Sequence, residues 1–337
     1  MLGPLSQRIL TLLQLTRMAL VFTAIADGAA EVLLRAGPQA AFDAALSARL
    51  GMMALASLGL YGFGMSLNDI IDRRRDAGAA AHRPLPSGRV RLMTAYVTCG
   101  VLAALALGAG LGYVCTARTG PTAQAGALFL LITGLLIVFY NFGGKYFLAA
   151  GLLSLGLIRF SNAALAAPSL PVLWHPLLLL NHVAILSMVA YDWEQKRPAL
   201  TPAQRWRLLG ALAALDAVLI AVVAWWRGAT AANLPAVLNL RPGLLLPVAA
   251  VGGFVLLAAA IRRRAPTRRD AGQQLMLCGL LWLIVYDASF VAGYVGWIAG
   301  ACLLVLLPVA WWSVQLMRWW SKLLSLSHRP VFQRART

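Results

Sequence analysis

Asn68, Asp69, Asp72 and Asp76 stand close together with Arg73, Arg74 and Arg75 between them, and Arg83-Pro84-Leu85-Pro86-Ser87-Gly88-Arg89 follows soon after. Only 12% of the chain is charged, so this concentration is where chemistry is sought first. In a helix, positions 68, 72 and 76 drift by about 40° per step and share one stripe, with Asp69 offset from Asn68 by about 100°. Hard oxygen ligands on one face, with arginines beside them, suit magnesium carrying a phosphate-bearing ligand. Carboxylates this close repel one another, and a divalent cation relieves that repulsion while leaving positions open to a diphosphate. A set of solvated loop charges is the plainer reading. It is disfavoured because acids at helical spacing directly beside an apolar span are an expensive arrangement.

A second polar insertion reads Tyr191-Asp192-Trp193-Glu194-Gln195-Lys196-Arg197-Pro198. Asp192 follows Asp69 by four predicted spans, which suggests a weak internal repeat whose two polar ends meet across one cavity. Were this segment helical, Asp192 and Glu194 would point about 200° apart, while Asp192 and Lys196 would share a face.

The elements that must position these groups are membrane helices. The chain is 61% hydrophobic with a mean hydropathy of +0.76. Apolar runs long enough to cross a hydrocarbon core lie near 10–34, 44–67, 91–115, 122–140, 147–167, 174–191, 207–226, 244–261, 272–293 and 297–318. They are uniformly apolar rather than alternating, which predicts helices and excludes a β-barrel. The expected architecture is an all-α polytopic bundle of nine to ten spans around a lateral, lipid-accessible cavity, built as a single domain over 1–337.

The net charge of +18 is sorted by side rather than spread. With the N-terminus inside, most Lys and Arg fall in inner segments, among them 73–91, 196–207, 262–269 and the tail after 317, whereas Arg35, Arg49, Arg118, Arg227 and Arg241 fall outside. This is the positive-inside bias, so the basicity reports topology and contact with anionic lipid rather than nucleic acid. Ten spans keep the basic C-terminus inside. Cys99, Cys115, Cys278 and Cys302 all fall within spans, at no metal or redox spacing, and read as packing residues. No short apolar stretch with a cleavage site opens the chain, so the first span is expected to be retained. Composition and the absence of a transit-like start fit a multi-pass protein of a bacterial cytoplasmic membrane, with both termini and both acidic motifs on the cytoplasmic side.

The order Asn68-Asp69-x-x-Asp72-x-x-x-Asp76 after a second span, then Arg83-Pro84-x-Pro86-Ser87-Gly88-Arg89, resembles the first signature of the UbiA-type intramembrane prenyltransferases. Tyr140-Asn141 with Lys145 after the fourth span, Arg159-x-x-Asn162 in the fifth, and the acidic motif after the sixth agree with it. The resemblance weakens after about residue 210. It implies a helix bundle with a membrane-facing cavity in which Mg2+ grips the diphosphate of an isoprenyl donor and a lipophilic acceptor attacks the prenyl carbon. Carried over residue by residue, Asn68, Asp72, Asp76 and Asp192 would hold magnesium, with Asp69 and Glu194 completing the catalytic set. Arg83, Lys145, Arg159, Lys196 and Arg197 would contact the diphosphate. The second motif departs from the family pattern, since Lys196 stands where a last acid is expected. Lys196 would then either grip the diphosphate in place of a second magnesium or pair with Asp192 and leave that site empty. The alternative function is a non-catalytic relative that binds lipid for transport or assembly.

Other polar residues lie inside the spans. Arg159 would cost about 2.5–3.5 kcal/mol near the bilayer centre, so it needs a polar cavity or a partner, and Asp27 and Glu31, sharing a face with Thr23, are candidates. Asp216 and Asp287 read as helix-packing residues, and His182 as a satisfied core histidine. Trp225-Trp226, Trp311-Trp312 and Trp319-Trp320 sit at predicted span ends as interfacial anchors.

Overall fold

The structure is a computed structural model that describes residues 4–40, 42–80, 83–116, 121–196 and 199–327. Among the described residues there is no strand, and nine helices are long and apolar enough to cross a membrane. The chain runs α1 (Pro4–Leu15), α2 (Val21–Ala36), α3 (Ala44–Ala79), α4 (Leu92–Thr116), α5 (Pro121–Phe142), α6 (Leu148–Ala166), α7 (Trp174–Trp193), α8 (Pro202–Trp226), α9 (Leu234–Val237), α10 (Leu245–Arg264), α11 (Arg268–Tyr294), α12 (Trp297–Leu304) and α13 (Leu306–Ser327). All ten predicted span positions are helical. Two are interrupted.

The span expected over 10–34 breaks at Arg17, which adopts a left-handed φ of 48° before a 3-10 turn at Met18–Leu20. That leaves α2 with 16 residues, shorter than the roughly 20 that cross a bilayer unaided. The last position is offset at Val305, between α12 and α13.

Helix α3 exceeds its expected bounds in the other direction. Its N-terminus is capped by the Asp43 carboxylate, which accepts from the Leu46 N–H at 2.7 Å. The helix then continues unbroken for 36 residues, about 54 Å at 1.5 Å per residue, well beyond a hydrocarbon core of about 30 Å. The acidic stripe is therefore helical and stands at the end of the bundle instead of in a loop.

Helices α2, α6, α7 and α11 form the middle of the bundle. Ala26 and Ala30 of α2 pack with Ile284, Phe290 and Val291 of α11 in one buried cluster. Helices α8 and α10 bury little of their surface, as expected of helices whose apolar side chains face lipid. Close approach rests on small residues. A Cβ at Gly59 would come within 2.6 Å of the Ala106 backbone nitrogen, so α3 and α4 touch through that glycine. Gly59→Val is expected to wedge them apart and cost about 1–3 kcal/mol, read as a lower thermal midpoint of the detergent-solubilised protein. An unchanged midpoint would show that the contact is not tight.

Candidate active site

A cavity of about 410 Å³ lies between α2, α3, α5, α6, α7 and α11. Its walls are largely apolar, with Leu60, Ile137, Leu155, Val183 and Leu280 among them. Polar groups enter from Arg17, Tyr61, Tyr140, Asn141, Arg159 and Lys196. Three of these carry positive charge and none is an acid. The cavity thus pairs an apolar body with cationic groups, the arrangement that suits an apolar chain bearing an anionic head.

Helix α3 joins this cavity to the acidic stripe. Ser57, Leu60, Tyr61, Gly64 and Met65 line the wall, and the same helical face continues through Asn68 and Asp72 to Asp76. Asp69, Asp72 and Asp76 are all buried, at 5%, 3% and 4% exposure, although they lie at the end of the bundle. Burial at that level requires counter-charges. Arg17 Nη2 lies 3.3 Å from Asp69 Oδ1. Lys145 Nζ donates to Asp72 Oδ1 at 2.6 Å and to Asn68 Oδ1 at 3.4 Å, while Arg75 Nη2 donates to Asp72 Oδ2 at 2.9 Å. Arg83 closes on Asp76 Oδ2.

Local structure places each cation. The break before α2 swings Arg17 toward α3. A 3-10 turn at Gly144–Tyr146 presents Lys145 after α5, and Asn141 anchors α5 by donating to Ile137 O at 2.9 Å and Gly64 O at 3.4 Å. The Arg83–Val90 segment folds on itself: the Val90 N–H donates to Pro84 O at 3.1 Å and Gly88 takes a φ of +71°. Leu85 and Val90 pack with Leu15, Ile70 and Ala95, which holds Arg83 over the stripe.

Arg159 meets one of the two acids expected for it. Its Nη1 lies 2.6 Å from Asp27 Oδ2 and its Nη2 donates to Thr23 Oγ1 at 2.8 Å. Asn162, one turn on, accepts from Ser57 Oγ at 3.2 Å and donates to Ala24 O at 3.3 Å, tying α6 to α3 and α2. Glu31 is not a partner of Arg159. It meets His175, as described below.

The second motif is arranged differently from its sequence expectation. Helix α7 ends at Trp193, and Gln195 turns into the left-handed region at φ 54°. The Lys196 N–H then donates back to Tyr191 O at 3.3 Å, so Asp192 and Lys196 do not share a helical face. Lys196 pairs instead with Glu194 at 2.9 Å and reaches the cavity wall. Asp192 pairs with Arg205 at 2.5 Å and stands 3.8 Å from Arg268. Neither Asp192 nor Glu194 lines the cavity, and nor do Asn68, Asp69, Asp72 and Asp76, which stand beyond its α3 wall. Arg197 lies outside the described residues.

The acids of both motifs are ion-paired, so the two differ in the number of oxygen donors they offer magnesium and not in being free of cations. The first offers two to three carboxylates and an amide along two helical turns, the hard donor set that the ion takes together with substrate phosphates. The second offers Asp192 already neutralised by two arginines and Glu194 by a lysine. Among the described residues no three His, Cys, Asp or Glu side chains gather to hold a metal ion. Any magnesium here would depend on Asn68 and on oxygens of its ligand.

Sequence reasoning missed three things. The guanidiniums of Arg17, Arg205 and Arg268 as partners of motif acids come from other elements, Arg205 from the next helix and Arg17 and Arg268 from farther along the chain. Tyr61 has no motif signal. His175 is flanked by apolar residues and a proline, and nothing local marks it as the bridge between Glu31 and Asp287.

No family model matches the sequence, and no curated protein matches it. Solved structures do. A structure of digeranylgeranylglyceryl phosphate synthase in membranes is 18% identical, with a TM-score of 0.57 over 85% of this chain and 98% of that chain. A UbiA homologue from Archaeoglobus fulgidus bound to DMAPP and Mg2+ is 16% identical, with a TM-score of 0.53 over 88% of this chain and 99% of that chain. The polytopic helical bundle described above is thus the UbiA-type fold.

Proposed function

We propose that this protein is an integral-membrane prenyltransferase that moves an isoprenyl group from an allylic diphosphate to a lipophilic acceptor. The observation that carries the reading is the continuity of one α3 face from the apolar cavity wall through Tyr61 and the half-buried Asn68 to the buried Asp72 and Asp76, with Arg17, Lys145 and Arg159 around it. The similar UbiA homologue was solved with DMAPP and Mg2+, which supports the same ligand class here.

In this reading the prenyl chain lies along the apolar wall and its diphosphate faces the stripe. Magnesium held by Asn68, Asp72 and Asp76 would neutralise charge on the departing diphosphate. Lys145, Arg83 and Arg159 orient its oxygens, and Lys196, which also lines the cavity, adds a further positive charge. As the carbon–oxygen bond breaks, its electron pair leaves with the diphosphate. The acceptor supplies the pair for the new bond to carbon and loses a proton. The cavity's apolar walls exclude water from that carbon. The basic residues of 73–91, 196–207 and 262–269 support an orientation with this site on the cytoplasmic side of an inner membrane, and both termini there.

The test is magnesium-dependent release of diphosphate from isoprenyl diphosphates of several lengths, with a panel of lipophilic acceptors. A second reading, a lipid-binding protein without transferase activity, is favoured by the self-neutralised pairs at Asp192 and Glu194. Donor binding without release under every pairing would select it. Lys196 gives a sharper comparison. Lys196→Asp is expected to shift magnesium activation to higher concentration and to weaken donor binding about tenfold or more, the value of one charge-assisted contact. Unchanged magnesium demand and donor affinity would remove Lys196 from the site.

A further inference from the structure

Glu31 on α2, His175 on α7 and Asp287 on α11 meet in the bundle with no exposed surface. His175 Nδ1 lies 2.8 Å from Glu31 Oε1, and its Nε2 lies 2.7 Å from Asp287 Oδ1. Each contact needs a hydrogen. A neutral imidazole supplies one, so the trio must hold at least one more proton, on the second ring nitrogen or on a carboxyl. With two protons shared in this way, the trio carries one negative charge. Glu31 Oε2 and Asp287 Oδ2 remain buried without hydrogen-bond partners, so each has room for a further proton.

The neighbouring pair does not cancel that charge. Arg159 is matched by Asp27, whose Oδ1 is also buried without a partner. Around them, Tyr61 lines the cavity, Tyr113 donates to Ala166 O at 2.5 Å and His182 lies 3.0 Å from Gly279 O and 3.3 Å from the Tyr286 hydroxyl. Arg35 lies at the far end of α2, 3.5 Å from Ala166 O. Among the described residues none of these forms an ion pair with the trio. One negative charge is thus the most this interior can carry cheaply.

Arg159 belongs to both regions, since it lines the cavity and is bound to Asp27. Asp27 stands one helical turn before Glu31 on α2, so an anion seated on Arg159 brings a further negative charge beside the trio. The available relief is a proton from water on one of the unpartnered carboxyl oxygens. We infer that Glu31, His175 and Asp287 form a buried proton-binding site that takes up a proton when an anion occupies Arg159 in the cavity. This rests on the cavity being an anion site and is independent of prenyl transfer.

The probe is an alkanesulfonate, whose charge is fixed across the neutral range, titrated into the full-length protein by calorimetry in buffers of different ionisation enthalpy. About one proton is expected to be taken up per anion bound, so affinity falls about tenfold per unit rise in pH. The Glu31→Gln, Asp287→Asn double variant is expected to bind the sulfonate with no proton uptake and with a flat pH profile. A flat profile in the wild type, uptake that survives in the double variant, or no sulfonate binding overturns the inference. Diphosphate release, measured separately, decides the transferase reading in each case. If the double variant does not fold, infrared spectra of the wild type decide: sulfonate must raise a carboxylic C=O band that shifts in D2O, and its absence overturns the proposal.

Discussion

Replacing Asp72 by alanine is expected to lower magnesium-dependent diphosphate release by at least about a thousandfold, some 4 kcal/mol of transition-state stabilisation. Asp72 stands between Lys145 and Arg75, with one carboxylate oxygen engaged by each. A carboxylate with two cationic partners has two possible jobs here. It can hold the two cations for an incoming diphosphate, or it can exchange them for a metal while they move onto the diphosphate oxygens. Removing it frees Lys145 and Arg75 in either case, so an anionic donor should still bind. The loss should therefore fall on kcat, with donor affinity held or improved. Asp72→Asn keeps a hydrogen-bond acceptor for Lys145 but not the charge, and is expected to stay close to the alanine variant. Full activity in Asp72→Ala would reduce the stripe to a set of ion pairs that fix the end of α3. Loss of donor binding without loss of kcat would give Asp72 a positioning role only.

How much of this was legible in the sequence depends on the range of the interaction. The spans, their helical nature and the stripe at 68, 72 and 76 follow from hydropathy and from the period of a helix, both local properties. The pairing of Arg159 with Asp27 was readable for a different reason. A guanidinium inside a span needs a partner, and few acids lie in the spans to serve. The arrangement at Asp192 was not readable. It turns on where α7 stops, and one left-handed residue, Gln195, changes Lys196 from a helical neighbour of Asp192 into a partner of Glu194. The neutralisation of Asp192 by Arg205 and Arg268 depends on how α8 and α11 begin beside α7. His175 was also silent. A histidine amid leucines has no periodic partner, and the acids it joins lie 144 and 112 residues away along the chain. Sequence patterns therefore located the groups that share a helix, whereas groups brought together by three helices emerged only from the packing.

Arg159→Met is expected to destabilise the folded bundle by about 3–5 kcal/mol, because it leaves Asp27 buried with neither of its oxygens matched by a cation. Asp27→Leu should cost a comparable amount by stranding the guanidinium, which is only 11% exposed. The double variant, Asp27→Leu with Arg159→Met, removes both charges and restores apolar packing between α2 and α6, so most of the stability should return. The cycle thus measures a large favourable coupling without implying that the pair adds stability beyond an apolar replacement. Unfolding in mixed detergent micelles supplies the free energies. Small effects in both single variants would mean that water or lipid headgroups reach the pair. The same double variant separates the two roles of Arg159. If the arginine serves only to hold α2 against α6, the double variant should recover sulfonate binding and diphosphate release along with stability. If the arginine faces the ligand, stability returns while anion binding stays lost, because methionine fills the space in the cavity wall and offers no charge. That divergence between stability and binding is the expected outcome, since the network that makes Arg159 affordable in a membrane also holds its free face toward the cavity.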